Sequence, residues 1–336
     1  MRYRFFGKSG LRVSELSLGT GNFGTGWGHG ANAPEARAMY DSYREAGGNF
    51  IDTASNYQSG EAEEYLSDMI SADREDIVLA TKYTMGSSAN SGLQFTGNSR
   101  KAMIQSLEQS LRRLGTDRVD VLWAHVADES TPSEEILRAF DDLTRAGKIM
   151  YAGLSSFPAW RVATGATIAQ QQGWAPLVAI QTEYSLVERS ADRELIPMAG
   201  AFGMGVLGFS PLGGGLLTGK YRQGATGRAQ SSISRFLHTE DDPDKANILD
   251  AVEAVARDLD TTPERVAIKW SMWKGVIPII GPRNIDQLTS NLAASELDVS
   301  PRQLEWLDEV SAPQLGYPHE LWSEHERVET NRFVQP

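Results

Sequence analysis

Eight short β-like runs recur along this chain, each followed by a stretch of helical periodicity, and that alternation leaves few folds open. The runs are SELSLGT ending near Gly19, FIDT near Asp52, IVLATK at Lys82 and VDVLWAH at His125. They continue with KIMYAGLS near Ser155, LVAIQTE near Gln181, MGVLGFS at Ser210 and VIPIIG at Gly281. Segments between them carry apolar residues three and four apart. SRKAMIQSLEQSLRRLG is the clearest; it stops on Gly115, a residue free to take the left-handed conformation that closes a helix. Residues 250–259 and Pro263–Trp273 read as helices as well. A strand that leads through a helix to the next strand pairs with it in parallel. Eight such units in 336 residues, undivided by any linker, predict one α/β domain over residues 1–336, a (β/α)8 TIM barrel.

Three segments fall outside the repeat. Ahead of the first unit, YRFFGKSGLRV has two short β-like stretches about a Lys8-Ser9-Gly10 turn, an N-terminal β-hairpin suited to plugging the barrel bottom. The gap from Ser210 to Val276 holds the polar RQGATGRAQSSISR, which predicts a long loop after strand 7. A helix near residues 301–312 should lead to an irregular C-terminal tail.

Composition narrows the partners. Lys and Arg number 32 against 44 Asp and Glu, a net charge of −12. Nucleic acids and anionic membrane surfaces call for a positive field, so neither is expected as a partner. An anionic cofactor would have to be held by local groups. With no cysteine, disulfides, thiol catalysis and iron–sulfur clusters are excluded. The opening MRYRFFGKSGLRVSEL has no apolar h-region, and no run approaches the roughly 20 apolar residues of a membrane span. A cytoplasmic protein is expected; an oligomer is open.

Two glycine motifs compete with the barrel reading. GTGNFG, residues 19–24, has the spacing of a dinucleotide-binding fingerprint, and Asp52 ends the next strand as a ribose-binding acid would. A Rossmann helix must start inside the glycine run, and here WGHGANAP follows, with no helix plausible before Pro34. GGLLTGK, residues 214–220, resembles a P-loop, but Tyr221 stands where a magnesium-binding Ser or Thr is required. A glycine-rich loop with a lysine still offers amides and charge to a phosphate.

The strand ends carry the chemistry. In a parallel barrel all strand C-termini meet at one face, where active sites lie. Asp52, Lys82 and His125 end neighbouring runs, and Tyr57 lies just past the second. Singly, each reads as a turn cap, a solvated lysine, loop packing or a core histidine. Together they suit carbonyl reduction. Hydride reaching a carbonyl carbon leaves charge on oxygen, which then needs a proton. A free phenol, with a pKa near about 10, is a reluctant donor that improves when its anion is stabilised. A lysine can do this, an aspartate can hold the lysine, and a histidine can fix the carbonyl oxygen. No metal is needed.

FIDTASNYQSGEAEEYL, LATK, VDVLWAH, AGLSS, QTEYSLVER, FSPLGGGLLTGKY and IIGPRNIDQLTSN occur in this order, and with them the chain resembles an aldo-keto reductase over nearly its whole length. The wording WAHVAD, SSFPAW and EYSLVERSADRELIPMA is most similar to the aryl-alcohol dehydrogenase-like and voltage-channel β-subunit-like branches. The resemblance implies a (β/α)8 barrel that uses NADPH (NADP+), less often NADH, without metal. It implies Tyr57 as proton donor, Lys82 and Asp52 as its tuners and His125 as the group orienting the carbonyl.

By the same resemblance Phe209 would stack on the nicotinamide, and Ser155, Ser156 and Gln181 would bind its carboxamide. Serine at 156, where the family often has asparagine, departs from the pattern. Ser210, Leu212, Gly214 and Lys220 would cover the pyrophosphate, with Gly19, Thr20 and Gly21 near the nicotinamide ribose. Gly281, Arg283, Gln287 and Asn291 would form the adenosine-phosphate site, where Arg283 could fork two hydrogen bonds to a 2′-phosphate.

Loops at the same face should wall a substrate pocket: Phe23 and Trp27, Tyr83, and residues 126–130 beginning with Val126, with Tyr317 and Trp322 of the tail. These aromatics suggest a small-molecule carbonyl substrate with apolar bulk. Two other readings stand beside the reductase. One is a low-turnover nucleotide-binding regulatory module on the same barrel. The other is a Rossmann dehydrogenase, which would set Asp52 on a ribose away from Lys82; the chain has no Y-x-x-x-K pair for its short-chain form.

Overall fold

Alternation within the apolar runs decides which way each barrel strand faces. The computed structural model describes residues 1–87, 91–222, 240 and 242–322. The long loop beyond Arg222 and the tail beyond Trp322 lie outside the described residues. β1 (Tyr3–Phe5) and β2 (Arg12–Ser14) form the antiparallel hairpin. The next eight strands are β3 (Ser17–Gly19), β4 (Phe50–Asp52), β5 (Val78–Tyr83), β6 (Val119–Ala124), β7 (Ile149–Ser155), β8 (Leu177–Glu183), β9 (Gly205–Phe209) and β10 (Ile277–Ile280). They pair in parallel in chain order, and β10 returns to β3 to close the barrel.

Successive side chains on a strand point to opposite faces. On β5, Val78 and Ala80 therefore join the apolar filling inside the barrel with Phe50, Val121, Trp123 and Leu207. Leu79 and Tyr83 face the outer layer and pack among the helices. Phe6, just after β1, closes the bottom: its ring stands edge-on to Phe50 at 5.3 Å and to Trp123 at 6.3 Å.

The outer layer is built from α1 (Ala33–Glu45), α2 (Glu61–Ile70), α3 (Arg100–Leu114), α4 (Ser133–Arg145), α5 (Ala159–Gln172), α6 (Leu195–Phe202), α8 (Pro263–Trp273) and α9 (Ile285–Ala293). α7 (Pro243–Asp258) and α10 (Pro301–Val310) are additions that pack on each other. Local signals set the ends. Asn32 and Glu35 form a capping box at α1, Ser99 caps α3, and Gly115 takes φ 62° to end it. α7 begins at Pro243, earlier than residue 250, because its polar first turn shows no apolar period and is set instead by the Asp242 cap. Arg189 ties α10 to the barrel: it bonds Asp308 O at 2.7 Å, Ser311 Oγ at 2.9 Å and Asp192 Oδ2 at 2.6 Å. Among the described residues no helix is long and apolar enough to cross a membrane.

Candidate active site

β4 ends inward on Asp52, and β5 turns Lys82 inward beside it, both essentially without solvent exposure. The Lys82 ammonium donates to Asp52 Oδ2, to Thr53 O at 2.8 Å and to Tyr57 OH at 3.1 Å. The second Asp52 oxygen accepts from Gln181 Nε2 at 2.9 Å. Tyr57 opens the short 3-10 turn Tyr57–Gly60 and is half-buried. His125 follows β6 directly; its ring stands edge-on to that of Tyr57, with centroids 6.1 Å apart.

Burial opposes the Lys82 charge, but Asp52 and Tyr57 outweigh it, and Lys82 titrates above its ordinary value. Desolvation also raises Asp52, against the pull of Lys82 and Gln181. The two shifts compete for one proton. Three oxygens around Nζ, against one amide on the free Asp52 oxygen, decide for an ammonium–carboxylate pair. Burial, then repulsion from Lys82, lowers His125 to about 3, so its imidazole is neutral at ordinary pH. Its Nδ1 is buried and has no partner among the described residues. The His125 backbone N–H is held by Thr84 Oγ1 at 3.1 Å, and Thr84 donates to Asn98 Oδ1 at 2.7 Å. Thr84 has φ 90°, a strained conformation for a β-branched residue.

Above this cluster runs a cleft of about 610 Å³. Its lining includes Trp27, Tyr57 and His125, together with Gly19, Gly21, Ser156 and Gln181. Phe209, Ser210, Leu212, Gly214 and Lys220 line it as well, as do Gly281, Arg283, Gln287 and Asn291. Ser156 and Ser210 both take left-handed backbone, φ 54° and 53°, one residue past β7 and β9. Thr20 is buried beneath the rim, its N–H on Asp52 O at 3.0 Å. Ser155 is buried too, and its Oγ has no partner among the described residues; neither Thr20 nor Ser155 is in the cleft lining.

Some expected residues lie elsewhere. Phe23 is wholly buried in the outer core. Tyr83 faces Phe140, rings 6.2 Å apart, because Lys82 points inward and the next residue on a strand must point out. Val126 is 38% exposed and lies outside the cleft lining, as do Tyr317 and Trp322. Other residues in the lining were not read from the sequence. Asn22 reaches Gly281 O at 2.8 Å and so joins the loops after β3 and β10. Glu264 and Ser290 meet at 2.7 Å. Asn22 was hidden inside a run read for its glycines, and Glu264 looks like an ordinary first-turn acid.

Both glycine motifs have structural explanations. No helix opens in residues 19–24; α1 starts at Ala33, and Asp52 holds Lys82, so the Rossmann reading fails. In residues 214–220 the chain forms a 3-10 segment, Gly213–Thr218, in place of a P-loop helix. Tyr221 OH bonds Gly214 O at 3.1 Å. A Cβ on Gly215 would lie 2.9 Å from Lys220 Nζ, so glycine makes room for the ammonium. Among the described residues the Arg283 guanidinium has no ion pair, in a chain with net charge −12. A cleft lined by Lys220, Arg283 and the Tyr57 phenol suits an anionic ligand with a reacting group beside Tyr57.

The Aldo/keto reductase family model matches residues 15–312. The chain is 31% identical to a putative aryl-alcohol dehydrogenase of Saccharomyces cerevisiae over 95% of this chain and 89% of that protein. It is 32% identical to norsolorinic acid reductase A of Aspergillus parasiticus, over 92% of this chain and 81% of the relative. It is 31% identical to an NADP(+) aryl-alcohol dehydrogenase of Phanerodontia chrysosporium, over 94% and 87%.

Proposed function

Because the chain belongs to the aldo/keto reductase family and is an oxidoreductase acting on carbonyl and alcohol groups, we propose that it reduces aldehydes or ketones reversibly with NADPH, in the cytoplasm, using Tyr57 as proton donor. The observation that carries this reading is the Lys82 ammonium, 3.1 Å from Tyr57 OH at the floor of the cleft. When bound, the reduced nicotinamide supplies the hydride.

The protein's own groups do the rest. A carbonyl oxygen beside Tyr57 OH receives its proton as negative charge develops there. The phenolate left behind faces the Lys82 ammonium, which Asp52 and Thr53 O hold in place. Neutral His125 can give the same carbonyl oxygen a hydrogen bond without adding a positive charge next to Lys82. Gln181 spends its amide N–H on Asp52 and keeps its carbonyl oxygen for the carboxamide. The buried Ser155 Oγ, without a partner among the described residues and opposite Gln181 in register, fits the same polar group. Phe209 offers a ring for the nicotinamide, and Lys220 and Arg283 offer charge for phosphates. Arg283 makes NADPH the favoured cofactor, with NADH the weaker one. One relative is named for aryl alcohols and another for norsolorinic acid, and an aryl carbonyl fits a cleft lined by Trp27 and Tyr57.

The test is steady-state oxidation of NADPH and NADH with a panel of aldehydes and ketones. Turnover with preference for NADPH is expected. Tight NADPH binding with no turnover on any carbonyl would instead favour a nucleotide-binding regulatory module.

A further inference from the structure

Tyr57 is followed by two non-glycine residues in left-handed backbone, Gln58 at φ 50° and Ser59 at φ 60°. Gln58 is fully buried, and both ends of its amide are used. Nε2 donates to Gly21 O at 2.9 Å, and Oε1 accepts from Trp27 N at 2.9 Å. Glu61, the first residue of α2, accepts from Thr25 N at 2.6 Å and Gly26 N at 2.9 Å through Oε2. The loop after β3 is thus tied at four backbone groups to the turn that carries Tyr57.

The loop's glycines fit this docking. A Cβ on Gly26 would come 2.4 Å from Gln58 O, and one on Gly24 would come 2.7 Å from Gln58 Cβ. The Gln58 backbone at Gly26, and the Gln58 and Glu61 side chains at Gly24, leave no room for a Cβ there. The glycine-rich run that mimics a nucleotide fingerprint therefore has its own use. Its consequence is the placement of Trp27. That ring stands edge-on to Tyr57, centroids 6.1 Å apart, in the cleft wall, although it is 44% exposed.

We propose that Gln58, with Glu61, is a positioning residue that fixes Trp27 beside Tyr57 and so makes the site prefer flat aryl carbonyls over short aliphatic ones. The proposal rests on the carbonyl-reductase reading. With the Trp27 ring 6.1 Å from that of Tyr57, a carbonyl whose oxygen reaches Tyr57 can lay a flat substituent against Trp27. A flat ring gains from a wall held in place, whereas a short alkyl group does not reach it. Freeing the loop costs the aryl substrate in binding and leaves the proton donor untouched.

The experiment compares wild type with Gln58→Gly and Glu61→Ala. Glycine suits φ 50°, so Gln58→Gly removes the side-chain ties without a backbone penalty. Benzaldehyde and propanal are assayed at saturating NADPH, NADPH binding is measured by fluorescence, and hydrogen exchange is followed over residues 22–28. We expect kcat/KM for benzaldehyde to fall roughly tenfold, mostly through KM, with propanal changed by less than about threefold and NADPH affinity kept. Exchange at the Thr25, Gly26 and Trp27 amides should quicken. Equal losses for both aldehydes, or unchanged exchange at those amides, would overturn the proposal. If wild type reduces neither these aldehydes nor any carbonyl of the wider panel, the carbonyl-reductase reading fails; exchange at the three amides then still decides the latch, quickening for it and constancy against it.

Discussion

Lys82 Nζ lies 3.1 Å from Tyr57 OH, although the two residues belong to successive βα units and stand 25 positions apart. The contact exists because β4 and β5 are neighbours in register, with Asp52 opposite Ala80, so that Asp52 and Lys82 both turn into the barrel mouth. A lysine without solvent exposure is tolerable only with its charge answered, and Asp52 and Thr53 O answer it.

Replacing Lys82 by Met should therefore damage stability and activity together. The Asp52 carboxylate would remain buried with Gln181 as its main remaining partner. A loss of about 3–5 kcal/mol in urea unfolding is expected, along with a fall in kcat of at least about a hundredfold. Retained stability would mean that the pair is not an ion pair in the folded protein.

His125 makes a prediction about acid. Its folded pKa is depressed to about 3 by burial, whereas an unfolded histidine titrates near about 6.5. Below pH about 6.5 the unfolded chain takes up a proton that the folded site refuses. The stability that neutral His125 contributes is present above that pH and is lost as pH falls toward 3, by about 1.4 kcal/mol per pH unit. Urea unfolding between pH 4 and 7 should show this slope, and His125→Asn should flatten it. The same shift predicts that kcat/KM shows no histidine ionisation between pH 5 and 8.

Arg283 should decide between cofactors. With Arg283→Ala, KM for NADPH should rise roughly tenfold to a hundredfold, while KM for NADH stays near wild type, because only the former carries a 2′-phosphate. An unchanged NADPH to NADH ratio would remove Arg283 from the phosphate site.

Much of this geometry could be read from the sequence, for a definable reason. Buried parallel strands leave clear apolar runs, and the residue that ends each run, such as Asp52 or Lys82, stands at the barrel mouth whatever the loops do. Sequence reading fails where one position of strand phase matters. Tyr83 sits beside Lys82 in the chain yet faces Phe140 in the outer layer. Phe23, in the loop after β3, is drawn into the core rather than the pocket wall. It also fails where a role depends on distant partners. Asn22 meets Gly281 across 259 positions, and no local pattern announces that contact. The start of α7 leaves no apolar signal, because its first turn is fixed by an Asp242 cap ahead of any apolar period.

The central claim is that Tyr57 gives the proton and does nothing essential for holding the cofactor. Its most direct measurement is Tyr57→Phe, assayed for single-turnover carbonyl reduction and, on the same sample, for NADPH affinity. The account predicts a loss of rate of roughly 10²–10⁴-fold with affinity changed by less than about threefold. Reduction at a rate close to wild type would contradict it.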